Sequence, residues 1–179
     1  MSEQRFIFDK QQIGRTIERL GLQIREAHAD TEKFVMIGIQ RRGVQLGQRI
    51  KDLWMQRSGK EIPYGKLDIN LYRDDWTSLQ NQPRINSTEI PFEVSGKNIL
   101  LVDDVLYSGR TVRAALEAII DFGRPNKVQL LVLLDRGNRE LPIQADFIGK
   151  TIFTSPNEHV DVNLEELDGI DQVLLQENT

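Results

Sequence analysis

Apolar residues recur at helical spacing early in the chain and then condense into short unbroken runs. Ile13, Ile17, Leu20, Ile24 and Ala27 fall on one helical face. Asp9 stands before them with Gln12 three residues on, the order of a capping box. Phe34 to Ile39 is a continuous apolar run and predicts a strand buried on both faces, ended by Gln40-Arg41-Arg42-Gly43. Leu46, Ile50, Leu53 and Trp54 carry a second helix. Leu67, Ile69 and Leu71 alternate with Asp68, Asn70 and Tyr72, which predicts a strand with one polar face.

Residues 73–97 then show no period and are rich in Asp, Asn, Ser and Pro. An irregular stretch of that length in a compact chain is usually functional, often a lid. Asn98 to Val102 predicts a second buried strand, Val112 to Phe122 a helix stopped by Gly123 and Pro125, and Val128 to Leu134 a third buried strand. Shorter apolar stretches follow around Phe147, Phe153, Val160 and Leu174. Buried strands separated by helical patterns give an α/β fold, with a central, mostly parallel sheet and helices on both faces. Ligands in such sheets lie beyond the carboxyl ends of the strands, which gathers the loops 40–43, 103–109 and 135–139.

Composition narrows the function classes. The 179 residues fit one domain spanning 1–179, and a 39% apolar content is far from a disordered composition. The chain has no cysteine, which excludes disulfides, thiolate nucleophiles and cysteine zinc sites. No window is apolar enough to span a bilayer, and the N-terminus lacks the order of a secretory signal, so a cytoplasmic protein without a membrane partner is expected. A net charge of −4 argues against a general electrostatic grip on nucleic acid but leaves room for a local basic face. His28 and His159 fit no metal spacing and are expected in solvated or capping roles.

The chemistry concentrates in Asn98-Ile99-Leu100-Leu101-Val102-Asp103-Asp104-Val105-Leu106-Tyr107-Ser108-Gly109-Arg110-Thr111. Neighbouring strand residues point to opposite faces, so Asp103 and Asp104 serve one ligand only if the chain leaves the strand there. Carboxylates so placed accept sugar hydroxyls or hold a hydrated Mg²⁺. Ser108-Gly109-Arg110-Thr111 then opens a helix, where unpaired N–H groups and the helix dipole favour an anion. An acid pair, a short spacer and a phosphate nest suit a ribose 5-phosphate. A Walker loop would need glycine where Asp104 stands. Two arginines at a turn are common on solvated surfaces; the predicted place of Arg41 and Arg42 beside 103–109 is what gives them functional meaning.

This segment resembles the diphosphate-sugar signature of the type I phosphoribosyltransferases. The runs Asp68 to Asp75, Val102 to Arg113 and Asp135 to Ile143 are similar to the bifunctional pyrimidine operon regulator and uracil phosphoribosyltransferase family, over about Phe8 to Val173. The resemblance implies that uracil and 5-phosphoribosyl-1-diphosphate give UMP and pyrophosphate, with Mg²⁺ held mainly by substrate. It implies that Asp103 and Asp104 hold the ribose hydroxyls, and that Tyr107, Ser108, Gly109, Arg110 and Thr111 wrap the 5-phosphate. It places Arg41 and Arg42 at the pyrophosphate, Arg84 in a hood over about 73–97, and Arg136 and Val160 at the uracil pocket. Purine-salvage relatives carry an Asp where this chain has Tyr107. Tyrosine is a poor base at neutral pH, which favours a pyrimidine.

Members of the family also bind the leader RNA of pyrimidine biosynthesis genes and respond to uridine nucleotides. Arg15, Arg19, Arg139 and Lys150 match basic positions of their RNA face, whereas Glu18, Leu22 and Gln144 depart from it, and Asn138 replaces a histidine beside the base pocket. A homo-oligomer is implied as well. Two alternatives stand beside this reading. One is an RNA-binding attenuator with vestigial enzyme activity. The other is a phosphoacceptor receiver domain, whose acidic strand end Ile99 to Asp104 also resembles.

Overall fold

The computed structural model describes residues 5–28, 32–74 and 87–177. Strand β1 (Arg5–Phe8) leads into helix α1 (Lys10–His28). The capping box closes as the sequence predicts: Asp9 Oδ1 accepts the Gln12 N–H at 2.8 Å, and Gln12 Oε1 accepts the Asp9 N–H at 2.9 Å. Ile13, Ile17, Leu20 and Ile24 are buried, but the next step of the stripe falls on His28 and not on Ala27. The His28 ring stacks on Phe34 with centroids 4.2 Å apart. Of the solvated or capping roles expected for it, the solvated one does not hold: His28 is buried at the last turn of α1, and burial lowers its pKa.

Five parallel strands form the main sheet in the order β3-β2-β4-β5-β6. They are β2 (Phe34–Ile39), β3 (Tyr64–Leu67), β4 (Asn98–Leu106), β5 (Lys127–Asp135) and β6 (Phe147–Thr151). Helix α2 (Arg42–Ser58) links β2 to β3, and α3 (Arg110–Asp121) links β4 to β5. The continuous apolar runs still divide by the strand period of two. Met36, Leu100, Val102 and Leu131 join α1 and α2 in one core. Val35, Ile37, Ile99, Leu101, Leu130 and Val132 join Ala114, Ala115, Ala118 and Ile119 of α3 in the other.

The tail resolves into β7 (Glu158–Asn163), a short helix α4 (Glu165–Asp168) and β8 (Gln172–Glu177). With β1 they make an antiparallel sheet ordered β1-β8-β7. Its Ile7, Phe8, Val162, Val173 and Leu175 pack into the first core with Leu100 and Val102. Among the described residues no helix is long and apolar enough to cross a membrane.

One expectation here needs correction. The strand predicted over 67–72 lies earlier, at Tyr64–Leu67, and a 3₁₀ turn follows at Asn70–Tyr72. Asp68 Oδ1 accepts the Asn70 N–H at 2.8 Å, and this local bond turns the backbone out of the sheet. The stretch 73–97 carries no helix or regular strand among its described residues, but its second part is tied to the sheet. Glu89 and Lys66 exchange two backbone hydrogen bonds of 2.8 Å, and Ile90, Phe92 and Val94 pack onto the second core. Residues 75–86 of the predicted hood, with Arg84, lie outside the described residues.

Candidate active site

The site begins where one strand pairing stops. β4 pairs with β2 only as far as Val102, opposite Gly38, but with β5 as far as Leu106. Asp103 and Asp104 therefore lie inside β4 and not past its end, as the sequence suggested. Their strand has lost one neighbour, and that open edge lets both carboxylates line a single cleft. Where β2 has turned away, the start of α2 comes in against β4. A Cβ on Gly43 would collide with the Val102 carbonyl oxygen. Gly43→Ala is expected to destabilise the fold by about 1–3 kcal/mol, the usual cost of overpacking, and to displace Arg41 and Arg42 from the acid pair. Denaturant midpoints together with turnover would check it.

Behind this contact Tyr64 anchors the same helix. Its hydroxyl donates to the Val44 carbonyl at 2.5 Å and occupies a slot that side chains at Gly38 or Gly47 would fill. Burial pushes the Tyr64 phenol well above its ordinary pKa, so it stays a donor.

The cleft has about 220 Å³ of space and is lined by Gln40, Arg41, Arg42, Asn70, Arg73, Asp103, Asp104 and Thr111. The Gln40–Arg41 peptide within it is cis. A second hollow of about 240 Å³, lined by Arg73, Asp74, Ser108, Arg110 and Thr111, shares Arg73 and Thr111 with the first. The two make one trough from the acid pair to the start of α3.

Gly109 supplies the turn at that far end, with φ of +91°. The first helical bond runs from the Arg113 N–H to the Gly109 carbonyl at 2.9 Å, so the N–H groups of Thr111 and Val112 precede it. Ser108 Oγ takes the Arg110 N–H at 3.3 Å, and the Ser108 carbonyl takes the Glu140 and Leu141 N–H groups at 2.9 and 3.0 Å. The Arg110 side chain leaves this nest. It pairs with Glu140 at 2.5 Å and Asp74 at 2.8 Å, so two carboxylates already match its charge.

The acid pair is electrostatically exposed to its own charge. Asp103 is buried, and burial, then the Asp104 charge, hold its pKa well above the usual carboxylate range. Among the described residues neither carboxylate forms an ion pair. A hydrated divalent cation or sugar hydroxyls would relieve that charge. The donors are all hard oxygens, which suits Mg²⁺. Among the described residues no group of three or more His, Cys, Asp or Glu could hold a metal by itself, so substrate and water oxygens would complete the shell.

On the other side of the nest, Arg136 lies 4.2 Å above the Tyr107 ring. It is itself buried, donating to Thr154 Oγ1 at 3.0 Å and to the Glu158 carbonyl at 2.5 Å. Tyr107, Arg136 and the start of β7 thus come together, with Val160 half-buried against the first core. Arg139 does not face outward. It donates to Asp135 at 2.6 Å, the Tyr107 carbonyl at 3.0 Å and the Ile143 carbonyl at 2.9 Å, stitching the loop 135–143 together. Arg15, Arg19 and Lys150 are exposed, and Arg19 reaches the Gly149 carbonyl beside Lys150.

Sequence reasoning missed the acids behind α2. Arg42 pairs with Asp168, and Arg49 with Glu166 and Asp171. The available signal was the seven-residue spacing of the two arginines on one helical face, against the acid-rich run 165–171.

Comparison with known proteins agrees with this geometry. The phosphoribosyl transferase domain family matches residues 4–167. The bifunctional protein PyrR of Pelotomaculum thermopropionicum is 52% identical over 171 residues, covering 96% of this chain and 94% of its own. That of Thermus aquaticus is 53% identical over 163 residues, covering 91% and 90%. Among solved structures, the hypoxanthine phosphoribosyltransferase of Trypanosoma cruzi superposes with a TM-score of 0.75 over 98% of this chain and 96% of its own, at 16% identity, and so shares the fold. The receiver-domain alternative falls with these matches, and the acidic strand here is the third of its sheet in chain order and runs into the glycine turn that opens α3. An acid pair on an open strand edge, an amide-lined turn after it, and this degree of likeness lead to one assignment: the chain belongs to the phosphoribosyl transferase domain family and, within it, to the bifunctional PyrR proteins, as an enzyme of phosphoribosyl transfer.

Proposed function

We propose that the chain joins uracil to the sugar of 5-phosphoribosyl-1-diphosphate, releasing pyrophosphate and forming UMP. The observation that carries this reading is the single trough, with the acid pair at one end and the start of α3 at the other. A ribose 5-phosphate laid along it places its hydroxyls on Asp103 and Asp104 and its phosphate on the N–H groups of Thr111 and Val112. The diphosphate then lies toward Arg41 and Arg42, and the base toward Tyr107 and Arg136.

The transition state of such a displacement carries oxocarbenium character at the anomeric carbon. The protein needs no nucleophile of its own. It orients the two reactants, and its arginines stabilise the charge leaving with pyrophosphate. Mg²⁺, when bound, supplies further neutralisation of the diphosphate. Asp103 and Asp104 fix the sugar through its hydroxyls, and Arg136 holds the Tyr107 ring flat at the base side of the site.

Incubation with labelled uracil, the diphosphate sugar and Mg²⁺, beside orotate and hypoxanthine as competing bases, tests this. Label should move from uracil into UMP, with neither competitor converted at a comparable rate. Conversion of hypoxanthine in preference to uracil would overturn the base assignment.

A second activity accompanies the first. The exposed Arg19 and Lys150 share a face at the edge of β6, with Arg15 one helical turn away. We propose this face for leader RNA of pyrimidine biosynthesis genes. In filter binding, the transcript should saturate at low salt and weaken steeply as salt rises. Absence of saturation at low salt would leave the enzyme alone.

A further inference from the structure

Helix α2 is held from behind by a bracket of carboxylates. Arg42 Nη2 donates to both Asp168 oxygens, at 3.1 and 3.3 Å. Seven residues on, Arg49 forks onto Asp171 at 2.9 and 2.7 Å and onto Glu166 at 2.7 and 2.6 Å. The acids are themselves tied to backbone. Asp168 Oδ2 accepts the Leu164 N–H at 2.8 Å, and Asp171 Oδ1 accepts the Glu165 N–H at 2.7 Å. The segment 164–171 therefore presents two fixed anions to one face of α2.

The two pairs sit in different places. Arg49 is two turns into the helix and does not line the cleft. Arg42 lines it together with Asp103 and Asp104. Asp168 engages a single nitrogen of Arg42, and among the described residues Nη1 has no hydrogen-bond partner. A free arginine would lose much rotamer freedom on meeting an anion. One already fixed at Nη2 loses less and still offers Nη1.

We infer that Asp168 is a positioning residue for the diphosphate end of the sugar substrate: it holds the Arg42 guanidinium at the cleft with Nη1 free for the anion. This rests on the assignment of Arg42 to the diphosphate loop. The opposite arrangement, in which Asp168 competes with diphosphate for Arg42, predicts the reverse effect on affinity.

Steady-state kinetics on Asp168→Asn, Arg42→Ala, their double variant and Asp171→Asn separates these cases. Asp168→Asn should raise KM for the diphosphate sugar about tenfold, the scale of one charge-assisted contact, and leave KM for uracil within about twofold. The double variant should match Arg42→Ala alone, because Asp168 acts only through Arg42. Asp171→Asn should lower the thermal midpoint and leave KM for the diphosphate sugar unchanged. Should Asp168→Asn fold poorly, Asp168→Glu keeps the charge on a longer arm and should still raise that KM. An Arg42→Ala effect without an Asp168 effect, a lowered KM in Asp168→Asn, or additive single variants would each overturn the positioning role alone. No effect of Arg42→Ala would remove Arg42 from the diphosphate loop, and the inference with it.

Discussion

Asp104→Asn is expected to lower kcat/KM for UMP formation by about 10²–10³-fold, the scale seen when one electrostatic contact to a transition state is lost. The thermal midpoint should not fall below that of the parent, since the repulsion between Asp104 and buried Asp103 is removed. Asp104 is half exposed, and its Oδ1 accepts the Val105 N–H at 2.9 Å, a bond that an asparagine oxygen can also accept. Shape and local hydrogen bonding survive, while the charge that Asp104 brings to the cleft, proposed to meet the sugar hydroxyls, does not. Steady-state rates beside a thermal melt decide the matter. UMP synthesis near the parental rate would remove Asp104 from the site.

The central sheet was legible because its three inner strands each carry a continuous apolar run, at 34–39, 99–102 and 130–134, as burial on both faces requires. The capping box and the Gly123 stop were local signals and proved local in effect. Of the candidate site, the contiguous segment 103–111 was legible, because strand, turn and helix start follow one another in sequence. What stayed hidden was everything that depends on pairing across the chain. That β2 releases β4 at Val102 decides how both carboxylates reach one cleft, and no property of residues 98–106 alone encodes it. The small sheet brings residues 5–8 against 172–177, a long-range pairing that short, half-polar strands announce weakly. Asp68 misled for the opposite reason. Its alternating neighbours read as a strand, but its short side chain bonds the backbone two residues on and ends the strand instead.

Asp103→Asn should separate stability from activity, raising the first and abolishing most of the second. Asp103 lies in a buried stretch of β4. Loss of solvation, then repulsion from the Asp104 charge, raises its pKa well above the ordinary 3.8, and the Asp104 N–H on its Oδ1 only partly offsets this. In the unfolded chain the carboxyl titrates at its ordinary value. Between the two pKa values the folded state binds more protons than the unfolded one. The stability contributed by the neutral carboxyl is therefore full below the ordinary pKa and is lost as pH rises through the raised folded value. Asparagine does not titrate. The midpoint of Asp103→Asn minus that of the parent should thus grow as pH rises from about 4 and level off above the folded pKa. Each kcal/mol recovered is worth about 2–4 °C in a chain of this size. Melts of substrate-free protein in EDTA across that range measure the difference without interference from a bound cation. If the proposed sugar contact is right, activity should fall at least as far as in Asp104→Asn; a buried carboxylate that costs the fold stability yet lines the cleft is a trade common where sites demand strained chemistry. A midpoint difference that does not vary with pH would mean the buried carboxyl keeps its ordinary pKa, and full activity in the variant would mean the sugar is held elsewhere.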